Sequence, residues 1–139
     1  MERQASADSA YAAILLNVDG ECNDAPYSLT GATYEVDEPD SCFSSPFTAW
    51  FKFVVPSGGA VEVDVWSSSF WSVANVLTAD DSGDFSTYAT IGCAGYNGPS
   101  QLFGLTAGDT VFIQSNSYDG YTGGYCVAVD TLFQWFADF

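Results

Sequence analysis

The sequence predicts an all-β fold: one jelly-roll-like β-sandwich of about eight or nine short antiparallel strands, with an extended N-terminal arm. Composition is the first reason, because 47% of the residues are hydrophobic and 17% aromatic, yet Lys and Arg together number two. Long helices are usually rich in good helix formers, Lys and Arg among them. The second reason is strict alternation of apolar and acidic residues in Val61–Val65. The third is a series of short apolar stretches separated by Gly- and Pro-containing turns.

The stretch from Ala49 to Trp66 predicts two strands joined by a tight turn, which we interpret as a hairpin that anchors the core. One face of the first strand carries Ala49, Phe51, Phe53 and Val55. In the second strand one face carries Val61, Val63 and Val65, and the other carries Glu62 and Asp64. Pro56–Gly59 ends the first strand and provides glycines for a turn that needs positive φ.

The remaining apolar stretches divide the chain into an arm, a sandwich and a tail. Residues 1–18 form an arm or first strand, 19–130 the sandwich, and 131–139 an apolar C-terminal strand or tail. Within the arm, Tyr11–Val18 is predicted to be a strand buried on both faces, although a short helix fits the same pattern. Further strands are predicted at Tyr27–Tyr34, Val73–Thr78, Thr87–Ala94, Ser100–Leu105, Thr110–Ser115 and Tyr125–Asp130.

Charge excludes two classes of partner. The net charge is −16, the cations are Arg3 and Lys52, and there is no histidine. Binding to nucleic acid or to an anionic membrane surface requires a basic patch that this chain lacks. The carboxylates fit a solvated surface, binding of cations such as Ca²⁺, or life in high salt or on a cell surface where like charge prevents clumping.

The four cysteines, Cys22, Cys42, Cys93 and Cys126, contain no Cys-Xaa-Xaa-Cys pair, and a zinc site needs closer ligands. We expect two disulfides formed in an oxidising compartment; four buried free thiols are the alternative. Three pairings are possible. We favour Cys22–Cys42 with Cys93–Cys126, because each would join neighbouring elements and stabilise by about 3 kcal/mol. No secretory signal follows Met1, so we expect a mature fragment or another export route.

Several motifs occur in an order that resembles a known family. They are Asn23-Asp24-Ala25, Pro39-Asp40-Ser41-Cys42, Ala49–Phe53 with Pro56–Gly59 and Val61–Asp64, Leu105–Ile113, and Gly123–Val129. Together they resemble the bacterial pre-peptidase C-terminal domain, over roughly residues 22–130. The resemblance implies a secreted or surface-exposed jelly-roll sandwich that is an accessory module without catalysis, some members being suspected of binding carbohydrate, protein or Ca²⁺. The apolar flanks Tyr11–Val18 and Leu132–Phe139 are additions to that pattern.

The sequence also predicts that the protein is not an enzyme. Without histidine, neither a Ser-His-Asp nor a Cys-His arrangement can be built. No Gly-Xaa-Ser-Xaa-Gly elbow or phosphate-binding Gly-Lys-Ser/Thr loop occurs. Two carboxylates can hydrolyse a glycosidic bond, but nothing in the sequence marks such a pair.

Two loops are candidate ligand sites. Asp80, Asp81 and Asp84 are hard oxygen ligands in one loop and make Ca²⁺ a candidate cofactor, although their spacing is not that of an EF-hand and a solvated turn is the alternative. Tyr118 and Tyr121 are candidate stacking surfaces for a glycan. Trp66 and Trp71 could also stack on sugars, or they could cap the core.

The apolar ends predict self-assembly. Exposed hydrophobic ends are unfavourable in a soluble monomer, unless they pack on their own sandwich or on a neighbour. The arm could reach a neighbour, because 18 extended residues span on the order of 60 Å. The candidate contact residues are Tyr11, Ile14, Leu15, Leu16, Val18, Leu132, Phe133, Trp135 and Phe136. We therefore expect a non-catalytic, extracellular or cell-surface structural subunit that forms a homopolymer; a monomeric glycan- or calcium-binding module is the alternative.

Overall fold

The computed structural model of the chain describes residues 13–20, 27–28, 42, 48–67, 72–81, 84–95, 98–117 and 124–132. Within these residues the regular structure is nine strands and one 3-10 turn, Phe85–Thr87. The strands are β1 (Ile14–Leu15), β2 (Tyr27–Ser28), β3 (Ala49–Val54), β4 (Val61–Trp66), β5 (Ser72–Ala79), β6 (Tyr88–Ala94), β7 (Ser100–Leu102), β8 (Thr110–Ser117) and β9 (Gly124–Thr131). The predicted all-β class is confirmed.

The strands form two sheets that pack face to face. The five-stranded sheet has the order β1-β3-β8-β5-β6, and the four-stranded sheet has the order β2-β9-β4-β7. The antiparallel pairs β2 with β9, β3 with β8, β4 with β7 and β5 with β6 are those of one long hairpin. Rolling this hairpin up brings β9 beside β4 and β8 beside β5. That arrangement is the predicted jelly roll.

Alternation along the strands builds the core between the sheets. The predicted inward faces of β3 and β4 are both buried, and Phe51 and Tyr125 meet edge-to-face with ring centroids 6.3 Å apart. The Tyr125 hydroxyl is 2.8 Å from Ser115 Oγ, which donates to the Ala49 carbonyl at 2.9 Å. The hydroxyls of Tyr125 and Ser115 are thus hydrogen-bonded within the core, as is usual for buried polar groups.

The central stretch is not a hairpin, so that interpretation was wrong. β3 pairs with β8 in one sheet, whereas β4 pairs with β7 and β9 in the other. The turn between them carries the chain across the sandwich, with a hydrogen bond from Gly59 N–H to the Pro56 carbonyl. Gly59 has φ +69, and a Cβ there would lie 2.6 Å from the Leu105 carbonyl oxygen. The two strands face one core from opposite sides, which produces the same alternation as a hairpin would.

The N-terminal segment belongs to the sandwich and pairs in parallel. Ile14 lies opposite Phe51, and Leu15 lies opposite Lys52. The Leu16 N–H donates to the Lys52 carbonyl, and Val18 forms a parallel bridge with Val129 of the other sheet. β1 therefore departs from the predicted antiparallel arrangement. The expectation of burial on both faces was also wrong, because Leu15 is 61% exposed.

The five-stranded sheet is covered on its outer face as well. Trp50, Leu77 and Phe112 form a second buried cluster there, and Phe85 and Tyr88 pack against it. Beside this cluster Asn75 and Gln114 are fully buried and joined by a hydrogen bond of 3.2 Å from Asn75 Nδ2 to Gln114 Oε1. Side chains on both faces of this sheet are therefore buried over this region.

A disulfide crosses the same outer face. It joins Cys42 to Cys93 of β6, and the Cys42 sulfur lies 3.1 Å from Asn75 Oδ1. The favoured pairs Cys22–Cys42 and Cys93–Cys126 are therefore wrong, because they assumed that cysteines near in sequence are near in space. Cys126 is also disulfide-bonded, and Cys22 lies outside the described residues. The prediction that the cysteines are oxidised is confirmed for Cys42, Cys93 and Cys126.

Candidate functional site

The outer face of the four-stranded sheet is open and acidic. Glu62, Asp64 and Trp66 alternate outward along β4, and the register places Glu62 directly opposite Asp130 of β9. We call Glu62, Asp64, Asp130 and Trp66 the acidic face. Together with Gly20 and Ala128 these four residues line a shallow cavity of about 110 Å³. The alternation in the sequence predicted that Glu62 and Asp64 share a face. That Asp130 lies on the same face is known only from the pairing of β4 with β9.

The carboxylates of the acidic face influence one another. Partial burial raises the pKa of Asp64, and the nearby Glu62 charge raises it further, while a hydrogen bond from the Val65 N–H acts in the opposite direction. Glu62 accepts a hydrogen bond of 3.0 Å from the Gln101 amide on β7. Like charges on directly opposed residues destabilise a sheet by a few tenths of a kcal/mol to about 1 kcal/mol.

Trp66 lies at one end of the acidic face and is 43% exposed. It does not cap the core, which was one of the two roles predicted for it. Since Trp71 lies outside the described residues, the structure addresses this prediction only for Trp66. An indole next to carboxylates can contact a cation or the apolar face of a sugar.

A larger cleft lies at the end of the five-stranded sheet. Its volume is about 580 Å³, within the range of ligand pockets. The lining residues come from the ends of β3, β5 and β8 and from the loop before β8: Lys52, Val55, Thr78, Ala79, Asp80, Leu105, Thr106, Asp109, Thr110, Val111 and Phe112. We call this the Lys52 cleft. It combines a cation with hydroxyls and carboxylates, which are the groups that orient a polar ligand.

The chain has 18 Asp and Glu residues, yet Lys52 forms no ion pair with any of the described residues. Its backbone carbonyl accepts the bond from Leu16, and its side chain is half-buried in the cleft. Asp80 and Asp109 line the same cleft, but both are exposed. Sequence reasoning identified Lys52 only as one of two cations. Its place in a cleft depends on contacts between distant segments.

The predicted calcium loop does not gather its carboxylates. In the described part of the chain no group of three acidic, Cys or His side chains could hold a metal ion. Asp84 Oδ1 instead accepts hydrogen bonds from the Ser86 hydroxyl at 2.7 Å and the Ser86 N–H at 3.0 Å, which lower the pKa of Asp84. Asp84 thereby caps the 3-10 turn. Asp81 contributes its carbonyl, which accepts bonds from Asp84 N–H and Thr87 Oγ1.

The predicted assembly residues divide into inward and outward positions. Ile14, Leu16 and Val18 pack against the core, whereas Leu15 points outward. At the other end, the Leu132 N–H donates to the Ala60 carbonyl at 3.1 Å and extends the edge of β9 along β4. The remaining assembly and glycan candidates lie outside the described residues: Tyr11, Phe133, Trp135, Phe136, Tyr118 and Tyr121.

Comparison with known proteins adds no relative: no protein family, no curated protein and no solved structure matches this chain. The resemblance to the pre-peptidase C-terminal domain therefore stays a prediction. In the part of the chain that the structure describes, no helix has the length and hydropathy needed to cross a bilayer.

Proposed function

We propose that this protein is a non-catalytic, extracellular structural subunit that assembles with copies of itself by exchanging its N-terminal segment. The observation that carries the proposal is the way in which residues 14–18 complete the sandwich. They add a short parallel strand to the edge of β3 and then bridge to β9, so that one segment contacts both sheets. A segment that completes a fold without a hairpin connection can be supplied by another copy.

The contact is apolar enough to support exchange. Ile14, Leu16 and Val18 pack against the main core, while Leu15 and Asn17 face outward. Burying an aliphatic side chain fully contributes about 1.5–3 kcal/mol, and each of these three is only partly buried. Loss of the segment would expose core side chains and leave the β3 edge open, which favours capture of the same segment from a neighbour.

Charge and disulfides fit a durable extracellular subunit. Disulfides persist in oxidising compartments, and the chain carries the Cys42–Cys93 bond. The net charge of −16 makes copies repel one another. Because salt screens this repulsion, assembly should strengthen as ionic strength rises. The apolar tail from Phe133 to Phe139 provides the second contact in this proposal.

The test compares an inward substitution with its outward neighbour. Ile14→Asp should abolish assembly, because it places a charge on a side chain that packs against the core. Leu15→Asp adds the same charge at a position that is 61% exposed, and it should preserve assembly. Size-exclusion chromatography with light scattering and negative-stain electron microscopy measure the outcome. Deletion of residues 1–18 should also prevent assembly.

A complementation experiment separates exchange from simple loss of stability. The chain lacking residues 1–18 is mixed with a synthetic peptide of residues 11–20, and the melting temperature is measured. The peptide should raise it by mass action, and the same peptide with Ile14→Asp should not. Unchanged polymers after deletion of residues 1–18, or a strictly monomeric full chain at high protein and salt concentrations, would sink the proposal.

A further inference from the structure

We propose that the Lys52 cleft binds an acidic saccharide, with Lys52 pairing to the sugar carboxylate. This inference concerns a surface at the end of the five-stranded sheet and does not depend on assembly. It also differs from the glycan prediction at Tyr118 and Tyr121, because it rests on other residues and on a specific charged group of the ligand.

The lysine is the starting point. In a chain with 18 Asp and Glu residues, a partly buried lysine would be expected to have an acidic partner, and within the described residues Lys52 has none. It lines the cleft of about 580 Å³ instead. A cation kept free of ion pairs in a concave site is available to an anionic group from outside the chain.

Lys52 can attract such an anion even though two carboxylates line the same cleft and the protein is acidic. Asp80 and Asp109 line the cleft but are exposed, so water and salt screen them. Lys52 lines the cleft, so a carboxylate bound there in contact with it experiences its attraction at short range. The charges of the chain outside the cleft act over longer, screened distances.

The rest of the lining offers the groups that a sugar ring needs. Thr106 and Thr110 bring hydroxyls, and Asp80 and Asp109 bring acceptors for the hydroxyl hydrogens of a sugar ring. Leu105 adds an apolar surface for the C–H face of the ring. A uronic acid presents several hydroxyls beside its carboxylate, so Asp80 and Asp109 can accept hydrogen bonds from the hydroxyls while Lys52 pairs with the carboxylate.

The test uses matched saccharides. A disaccharide of galacturonic acid and its neutral galactose counterpart are titrated into the full chain, with binding measured by calorimetry and mapped by NMR chemical shifts. The acidic disaccharide should bind and shift resonances of the cleft, and the neutral one should bind at least about tenfold more weakly, the effect of losing one charge-assisted hydrogen bond.

Substitutions assign the site. Lys52→Gln should weaken binding of the acidic disaccharide at least about tenfold, and Lys52→Arg should retain it within a few fold. Thr110→Val, at an exposed position of the cleft, should weaken binding independently of any effect on Lys52. Asp64→Asn, on the opposite sheet, is the control and should leave binding unchanged. Melting curves establish that each variant is folded.

Several outcomes would overturn the inference. They are equal binding of the neutral and acidic disaccharides, full binding by Lys52→Gln, no binding of either sugar at millimolar concentration, and binding of an acidic peptide at the cleft in place of the sugar. Because assembly is measured separately by size-exclusion chromatography, loss of sugar binding with intact polymers refutes only this inference. Intact sugar binding by a monomer refutes only the proposed assembly.

Discussion

The two sheets of this sandwich differ in what lies on their outer faces. On the five-stranded sheet, Trp50 is 0% exposed and packs on Phe85 and Tyr88, with ring centroids 5.8 Å and 5.6 Å away. On the four-stranded sheet, Trp66 is 43% exposed beside Glu62 and Asp64. The same residue type is structural on one face and available for contact on the other.

The difference is visible in burial along single strands. β5 is buried at six consecutive positions, Ser72 to Leu77, whereas in β4 buried positions alternate with half-buried or exposed ones. A strand covered on both sides encloses its polar side chains, and Asn75 there bonds to Gln114 of the neighbouring strand. A strand covered on one side can present carboxylates to water. Binding functions are therefore to be sought on the open sheet and at the ends of the covered one.

The largest expected effect comes from substituting the two tryptophans in turn. Trp50→Ala should destabilise the protein by about 3–5 kcal/mol, since it removes a fully buried indole and leaves a cavity. Trp66→Ala should cost about 1 kcal/mol or less, because its side chain is partly in water. Urea unfolding followed by circular dichroism measures both values. Equal losses would show that the two faces do not differ as described.

Removing the disulfide on the outer face of the five-stranded sheet should cause the second-largest loss of stability. Replacing Cys42 and Cys93 together by serine opens a link between residues separated by 51 positions. We expect a loss of about 2–4 kcal/mol, chiefly because the unfolded chain gains freedom. The measurement is the urea midpoint without reductant, compared with the intact protein. An unchanged midpoint would mean that packing alone secures this face.

The smallest expected change in stability comes from a substitution on the outer face of the four-stranded sheet. The pKa of Asp64 is raised by burial and by Glu62, so its charged form is disfavoured in the folded state. The folded state holds this proton more tightly, so stability falls as pH rises from the ordinary carboxyl pKa through the raised one. Asp64→Asn should raise the melting temperature by about 1–3 °C at neutral pH.

This gain should shrink as pH falls through the same window, where the wild-type carboxyl becomes protonated. Asparagine keeps the oxygen that accepts the Val65 N–H, so the local bond survives the substitution. Glu62→Gln at neutral pH is the matched control and should also stabilise, since it removes the opposing charge. A melting temperature that is equally altered at acidic and neutral pH would contradict the assignment to charge.

Strand positions were largely predictable. β4, β5, β8 and β9 lie within a residue or two of where alternation and turn residues predicted them. Pairing was not predictable in the same way. The hairpin expected at Ala49–Trp66 and the disulfides expected between neighbouring cysteines both assumed that sequence neighbours are spatial neighbours. In a jelly roll most strands pair with distant ones, so that assumption fails.

The candidate binding residues follow the same division. The alternation that placed Glu62 and Asp64 on one face is local, and the structure bears it out. The Lys52 cleft brings together residues from β3, β5, β8 and the loop before β8, and no spacing in the sequence links them. In the Asp80–Asp84 loop the described carboxylates are close in sequence but do not form a group of metal ligands, and the calcium site stays a prediction.

Local chemistry was enough to establish the all-β class, the inward and outward faces of β3 and β4, and the acidity of the chain. These depend on side-chain alternation and composition, which are properties of short segments. The tertiary structure alone decided which strands pair, that Cys42 reaches Cys93, that residues 14–18 join both sheets, and that Lys52 lines a cleft. Those features depend on how the long hairpin folds back on itself, and many different strand pairings are compatible with the same local pattern of side chains.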